Sequence, residues 1–369
     1  MTGLQDRLTP AQVEEFGREL DALRQRIVDD LGEEDLEYIR KIIKTQRALE
    51  VTGRGLLFAG FLPPAWLAGV AALSAAKILD NMEIGHNVMH GQYDWTRIPE
   101  LSSQRFEWDT VAPAENWRHS HNYIHHTYTN IVDKDRDVGY GILRMDPGQK
   151  WHPYYLGNPV YATLLALLFQ WGVMLHDLEV DRVVKGERTW AENVPVLRRI
   201  VRKASRQIGK DYVLFPLLTG PLAPLTLLGN ASANLVRNLW AFSIIFCGHF
   251  PADVESFTEE ETENETRGQW YLRQILGSAN ITGGPVFHIL SGNLSHQIEH
   301  HLFPDLPARR YPQIAGEVRE ICERYGLPYN TGPLHKQLWS VAKKIVRLAL
   351  PGKPGPTATV DPERQLRAA

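Results

Sequence analysis

Histidines recur at four-residue spacing in three widely separated places along this chain. The segments read His86-Asn87-Val88-Met89-His90, His121-Asn122-Tyr123-Ile124-His125-His126 and His296-Gln297-Ile298-Glu299-His300-His301. Of the 14 histidines in the sequence, eight occupy the repeating positions of these boxes. Residues four apart on a helix share a face, so each box presents a pair of ring nitrogens. Consecutive residues diverge by about 100°, so the doublets His125-His126 and His300-His301 can each serve two metals. Neutral imidazole is a common metal ligand, and eight rings exceed what one mononuclear site needs. The chain must therefore fold so that three distant segments meet, and a dinuclear centre is the expectation.

One rival lies inside the third box. His296-x-x-Glu299-His300 fits an inverted zinc-peptidase pattern, with Glu as base. That reading leaves five box histidines idle. A lone box on a solvated helix face would mean nothing, but three boxes, two with one layout, argue against that.

The 369 residues carry a formal net charge of −3, which implies no general affinity for nucleic acid. Only two cysteines occur, Cys247 and Cys322. A disulfide framework and a cysteine-ligated iron–sulfur cluster are thereby excluded. No haem-binding motif and no dinucleotide fingerprint is present, so no bound haem or flavin is expected. No basic-then-apolar secretory signal opens the chain. Mean hydropathy is −0.28, an average that hides apolar blocks between polar ends.

Residues 1–47 read as polar N-terminal helices, with Thr9 capping a helix that starts at Pro10. Residues 48–85 hold the first apolar block. Ala65 to Gly85 is about 31 Å as a helix, enough to cross a bilayer core; Ala48 to Leu62, carrying Glu50 and Arg54, is a poor first span or a re-entrant piece. Asn158–Leu175 reads as a buried or interfacial helix. Arg198, Arg199, Arg202, Lys203, Arg206 and Lys210 mark the cytoplasmic side. Val213–Gly229 and Ala231–His249 then form an apolar hairpin turning at Asn230, with Pro216, Pro221 and Pro224 kinking its first arm. All three boxes share the cytoplasmic face if 48–85 crosses twice. Arg237 and Asn238 fall inside the last span and are substrate-pocket candidates, because intramembrane polar groups face a bundle interior or a cavity. His249 ends that span on the histidine-rich side and is a ligand candidate. Asp133, Asp135 and Asp137 follow the second box and could hydrogen-bond metal-bound rings, although a solvated loop is the simpler reading. The tail, 346–369, reads as disordered.

Taken together, residues 48–345 resemble the membrane fatty acid desaturase family, of the bacterial acyl-CoA type. The resemblance rests on three boxes in order, two before the apolar pair and one after it. It also rests on Trp117-Arg118-His119-Ser120-His121-Asn122, Thr127-Tyr128-Thr129-Asn130 and the run Asn293 to Pro304. It implies an all-α integral membrane bundle of about four spans with a cytosolic helical cap carrying the boxes. Also implied are two non-haem irons, O₂ as co-substrate and a fatty acyl substrate. Carried over box by box, the ligands are His86, His90, His121, His125, His126, His300 and His301, with His249 matching an additional family histidine. Family analogy puts Gln297 where many desaturases have the first histidine of the third box. The internal layout says otherwise. His296 lies four residues before His300, as His121 does before His125, so His296 is taken as a ligand and Asn122 and Gln297 as orienting amides. Two departures matter: the Gln-x-x-His-His box resembles front-end desaturases, which usually carry a fused cytochrome b5 domain whose haem-binding His-Pro-Gly-Gly motif is absent here, and the weak first span stands against the count of four.

The expected activity is O₂-dependent insertion of a C=C bond into a fatty acyl chain, at a site facing the cytoplasm of a bacterial inner membrane. Electrons must come from a separate ferredoxin, cytochrome b5 or NAD(P)H-dependent reductase. The alternatives are a membrane diiron hydroxylase acting on an alkyl chain, and a non-enzymatic metal-binding membrane protein. Double-bond position and acyl head group are not legible.

Overall fold

The computed structural model describes residues 7–184 and 186–352. Among these the chain is largely helical, with a single two-stranded sheet. Helix α1 (Pro10–Asp29) starts as its sequence dictates, with Thr9 accepting from the Gln12 amide and Gln12 returning the bond. Helix α2 (Glu33–Leu57) runs through the segment read as a poor span. After a tight turn, Pro63 opens α3 (Pro63–Ile78). The helix does not stop at Ile78: it widens into a π-helical stretch, Leu79–His86, and ends as Asn87–Met89. The first box therefore sits on the end of a long rod. α2 and α3 pack closely where glycines meet, since a Cβ on Gly53 would lie 2.9 Å from the Leu73 backbone.

The second pair of rods differs from the expected hairpin. α4 (Asn158–Leu167) and α5 (Phe169–His176) bend by 102° at Leu168. α6 (Trp190–Ile208) continues through a π-helical Gly209–Leu214 to Phe215–Leu218. The chain turns at Thr219–Leu222, not at Asn230, and α7 (Ala223–His249) is unbroken. Turn chemistry decides this. Gly220 adopts φ +55°, which suits glycine, and Pro224 stands in the first turn of α7, where a missing N–H costs nothing. The prolines end one arm and begin the next, and do not kink a span. Asn230, read as a turn, is fully buried, accepting from Arg54 at 2.8 Å.

The cap comprises α1, α8 (Arg267–Leu276), α9 (Gln297–Leu302) and α10 (Tyr311–Arg324) around one apolar core that includes Phe16, Leu20, Tyr271, Phe303 and Val318. Strands β1 (Asn280–Thr282) and β2 (Thr331–Pro333) pair in parallel. Finally α11 (Leu334–Ala349) packs on α4 and α7. This helix occupies 346–349, at the start of the expected disordered tail; residues 353–369 lie outside the described residues. Among the described residues no single helix is long and apolar enough to cross a membrane; only the bent α4–α5 pair passes by length and composition.

Candidate metal centre

Each box arrives on a different element. His86 and His90 end the α3 rod. His121 and His125 lie in a π-helical turn, Arg118–His125, that follows a short helix at Ala114–Trp117. Such widened turns are common at functional sites. His300 and His301 lie on α9, and His249 is the last residue of α7. With His126, the residue directly after that turn, eight rings converge. His86, His90, His121 and His300 place one nitrogen each within 4.8 Å of one another; so do His125, His249 and His301, and His126 with His300 and His301. Neighbouring ring centroids lie 4.5 Å apart for His86 and His90, 4.7 Å for His125 and His249, and 4.5 Å for His126 and His301.

Outer hydrogen bonds fix which nitrogen points inward. Asp135 meets His125 Nδ1 at 2.9 Å, and Asp137 meets His121 Nδ1 at 3.2 Å. Asn87 Oδ1 lies 3.0 Å from His86 Nδ1, and Gln274 Oε1 lies 3.1 Å from His301 Nδ1. Tyr311 approaches His300 Nδ1 at 3.4 Å. Meanwhile Nε2 of His90, His121, His125 and His300, and both nitrogens of His126, are buried without a protein partner. Leaving one buried polar group unpaired costs about 1–3 kcal/mol. Several such groups pointing at one another fit a metal-binding shell, and a chain folding for packing alone would not collect them. Imidazole donors suit iron, zinc and copper alike.

Burial holds most of these rings neutral. It pushes His86 down to about 3, helped by His121, and pushes His90, His126, His300 and His301 well below the usual imidazole range. For His125, burial is the largest influence and lowers it, yet Asp135 and Asp137 together outweigh it and its pKa is raised.

Not every expected residue joins. His296 is not within α9 but caps it, with φ −105° and ψ 58°, so the four-residue register with His300 is lost. Its ring packs on His288, with centroids 4.6 Å apart, and it belongs to none of the nitrogen groups. Gln297 is instead the buried residue at the cluster, its side-chain amide 2.9 Å from His249 Nε2. A Cβ on Gly248 would collide with that amide at 2.9 Å, so this glycine makes room for it. Glu299 faces away and bonds Asn280 and Tyr329, which removes the peptidase reading. Asn122 bonds the Met89 carbonyl at 2.7 Å, tying the second box to the first. Asp133 is exposed; Asp135 and Asp137 are buried and make the contacts. Asp135 also accepts the Asn130 and Asp137 backbone amides, so this is a folded turn and not a solvated loop.

A narrow cavity opens beside the rings. Its walls include His86, His121, His125, His249 and Gln297, and the apolar Trp108, Tyr140, Phe169, Ile245 and Leu294. Arg237 and Asn238 line it. Asn238 also braces the α4–α5 bend, donating to Leu167 O at 2.9 Å. The bend could not be anticipated from apolar periodicity, and no local signal marks Gln274 or Tyr311, which reach the rings from other elements.

A family model described as fatty acid desaturase matches residues 63–333. The chain is 48% identical over 350 residues to an NADPH-dependent stearoyl-CoA 9-desaturase of Mycobacterium tuberculosis, covering 94% of this chain and 82% of that protein. It is 26% identical to an sn-1 linoleoyl-lipid 6-desaturase of Synechocystis, over 76% of this chain and 79% of that one. With the Delta(5) fatty acid desaturase A of Dictyostelium discoideum the identity is 28%, over 73% and 59%.

Proposed function

We propose that this chain, which belongs to the fatty acid desaturase family, introduces a double bond at carbon 9 of a saturated acyl-CoA in an O₂-dependent reaction at a histidine-held pair of irons. The observation that carries the reading is the convergence of eight histidines in overlapping donor groups beside a cavity with apolar walls. Position and thioester follow the mycobacterial relative. The proposed ligands are His86, His90, His121 and His300 on one side and His125, His249 and His301 on the other, with His126 beside the shared His300–His301 pair.

Removing two hydrogens from an unactivated alkyl chain lies beyond any protein acid or base, so iron held by these histidines would supply the oxidation. The residues do the rest. Asp135, Asp137, Asn87 and Gln274 hold the rings in orientation. Trp108, Tyr140, Phe169 and Ile245 offer an alkyl chain a dry wall beside His86 and His125, which is how placement selects one C–C bond. Two substrate hydrogens, two electrons and two protons reduce one O₂ to two waters. The sequence has no haem motif, no dinucleotide fingerprint and too few cysteines for a cluster, so in this reading a separate reductase or small redox protein delivers those electrons on the face of the rings.

The reading includes a bilayer location with the centre facing the cytoplasm. Exposed apolar residues support it: Phe58, Phe61, Leu62 and Leu67 around the α2–α3 turn, and Leu217, Leu218, Leu225 and Leu228 around the α6–α7 turn. The test is turnover of stearoyl-CoA with an electron donor and O₂, read by gas chromatography–mass spectrometry. A 9-alkene is expected; an alcohol as sole product would establish the hydroxylase alternative.

A further inference from the structure

Helix α11 is apolar over far more of its surface than the protein covers. Its inner face, Val341, Ile345 and Leu348, is buried against α4 and α7. Its outer face carries a second apolar stripe: Trp339, Val346 and Leu350 are 65%, 55% and 57% exposed, with Ala342 also exposed between them. At about 100° per residue the helical members Ala342, Val346 and Trp339 fall within roughly 60° of arc, with the exposed His335 among them and Leu350 just past the helix end. Lys343, Lys336 and Arg347, all exposed, occupy the adjoining arc on one side. The Lys343 ammonium lies 5.6 Å over the Trp339 ring, joining the two stripes.

The helix sits where apolar exposure on α7 stops. That exposure runs from Leu225 to Leu239, and the end of the helix at His249 is buried. The Ala252 amide, just beyond, donates to Ser340 Oγ at 2.9 Å. The far end of α11 is pinned by Trp151, which donates to Ala349 O at 3.0 Å. The neighbouring α4 also turns Val160, Leu164 and Leu167 outward. A helix with one apolar stripe, an aromatic ring and a bordering row of cations has the pattern of an interfacial helix in an anionic leaflet.

We propose that α11 lies in the plane of the membrane surface, its Trp339–Leu350 stripe immersed among acyl chains and Lys336, Lys343 and Arg347 bound to anionic lipid phosphates. This rests on the bilayer reading above. It assigns α11 a membrane-binding role that composition does not suggest, since the helix is too short and too charged to span.

The test uses the full chain in vesicles of phosphatidylcholine, with and without phosphatidylglycerol. Single spin labels are placed through Val346→Cys, Leu350→Cys and Lys336→Cys, with Leu228→Cys as the reporter of bilayer insertion; the native Cys247 and Cys322 are buried. Oxygen should reach the labels at 346 and 350 better than a nickel chelate does, and the ratio should reverse at 336. Anionic lipid should draw the 346 label deeper, and K343Q/R347Q should abolish that shift. If 346 and 350 are open to the chelate while 228 is in lipid, α11 faces water and the proposal falls. If both reagents are excluded, a second protein copy covers the stripe and the proposal again falls. An unchanged depth on adding anionic lipid would overturn the phosphate contacts. A chelate-accessible 228 would instead refute the bilayer reading itself.

Discussion

Replacing Asp135 by Asn removes the group that aims His125. The carboxylate receives His125 Nδ1 at 2.9 Å on one oxygen and 3.0 Å on the other. It also accepts the Asn130 amide at 2.8 Å and the Asp137 amide at 3.0 Å, one on each oxygen. An Asn side chain has only one acceptor oxygen, so its NH₂ must face one of those backbone donors. Two effects then oppose each other. Losing the carboxylate lowers the raised pKa of His125, which reduces proton competition for the ring. It also frees the ring to rotate, and loss of such an orienting partner typically costs 10–100-fold in metal affinity, or about 1.4–2.7 kcal/mol. Proton competition weakens as pH rises, so an alkaline assay weights orientation most heavily. Iron affinity measured by chelator competition at pH 8.5 should fall by about 10–100-fold in D135N, while D133N at the exposed neighbour should match the parent. On acidification the parent should lose affinity more steeply than D135N. Parent-like iron binding by D135N at pH 8.5 would refute the reasoning.

The third box separates two neighbours: H296A should retain its full iron complement, whereas Q297A should lose part of it, both read by metal analysis of desalted protein. Asp35 is fully buried between Arg310, bonded at 2.7 Å, and Arg309, at 3.1 Å. Breaking such a buried pair costs about 3–5 kcal/mol, so D35N should unfold at markedly lower temperature. Burial opposes ionisation of Asp35 most strongly, but the Arg310 bonds prevail and hold its pKa below 3.8. Its stabilising contribution is therefore complete above pH 3.8 and is lost as pH falls through the lower folded-state value; D35N should flatten the acid limb of the stability profile. Purified protein given NADPH, O₂ and acyl-CoA alone should form no alkene, and adding a reductase with a small redox carrier should restore product.

The histidine boxes were legible because their spacing encodes a shared face even where the helix is π and not α, as for His121 and His125. His249 was legible only through its position at the end of an apolar run. His296 stands outside the nitrogen groups, because repetition of a motif does not guarantee repetition of its backbone. The second box lies inside a helix, whereas the third starts one, and the capping position turns His296 out of register. The orienting carboxylates were visible as an Asp-x-Asp-x-Asp run, but alternation alone could not say which members face inward. That depends on the turn that buries Asp135 and leaves Asp133 in solvent.

The outer faces of the long rods are illegible in the sequence for a related reason. Arg54 is bound by Asp211 at 2.7 Å, and Lys77 joins that same carboxylate at 2.7 Å. Lys77 also reaches Asp109 at 3.3 Å, and Lys210 pairs with Asp109 as well. Lys203 donates to the Trp108 carbonyl at 2.5 Å. Part of the basic cluster read as a topology signal is thus spent on internal pairing, while Arg198, Arg202 and Arg206 stay exposed. Arg54, Lys77 and Asp211 lower the mean hydropathy of their helices, yet they point into the bundle, where a desolvated charge survives only with partners. Residues such as Leu217, Leu218, Leu225 and Leu228 point out. Averaging along one helix adds the two faces together and loses the contrast between them. Mean hydropathy along a helix therefore understates an apolar outer surface, and what separates the two faces is which residues the neighbouring rods cover.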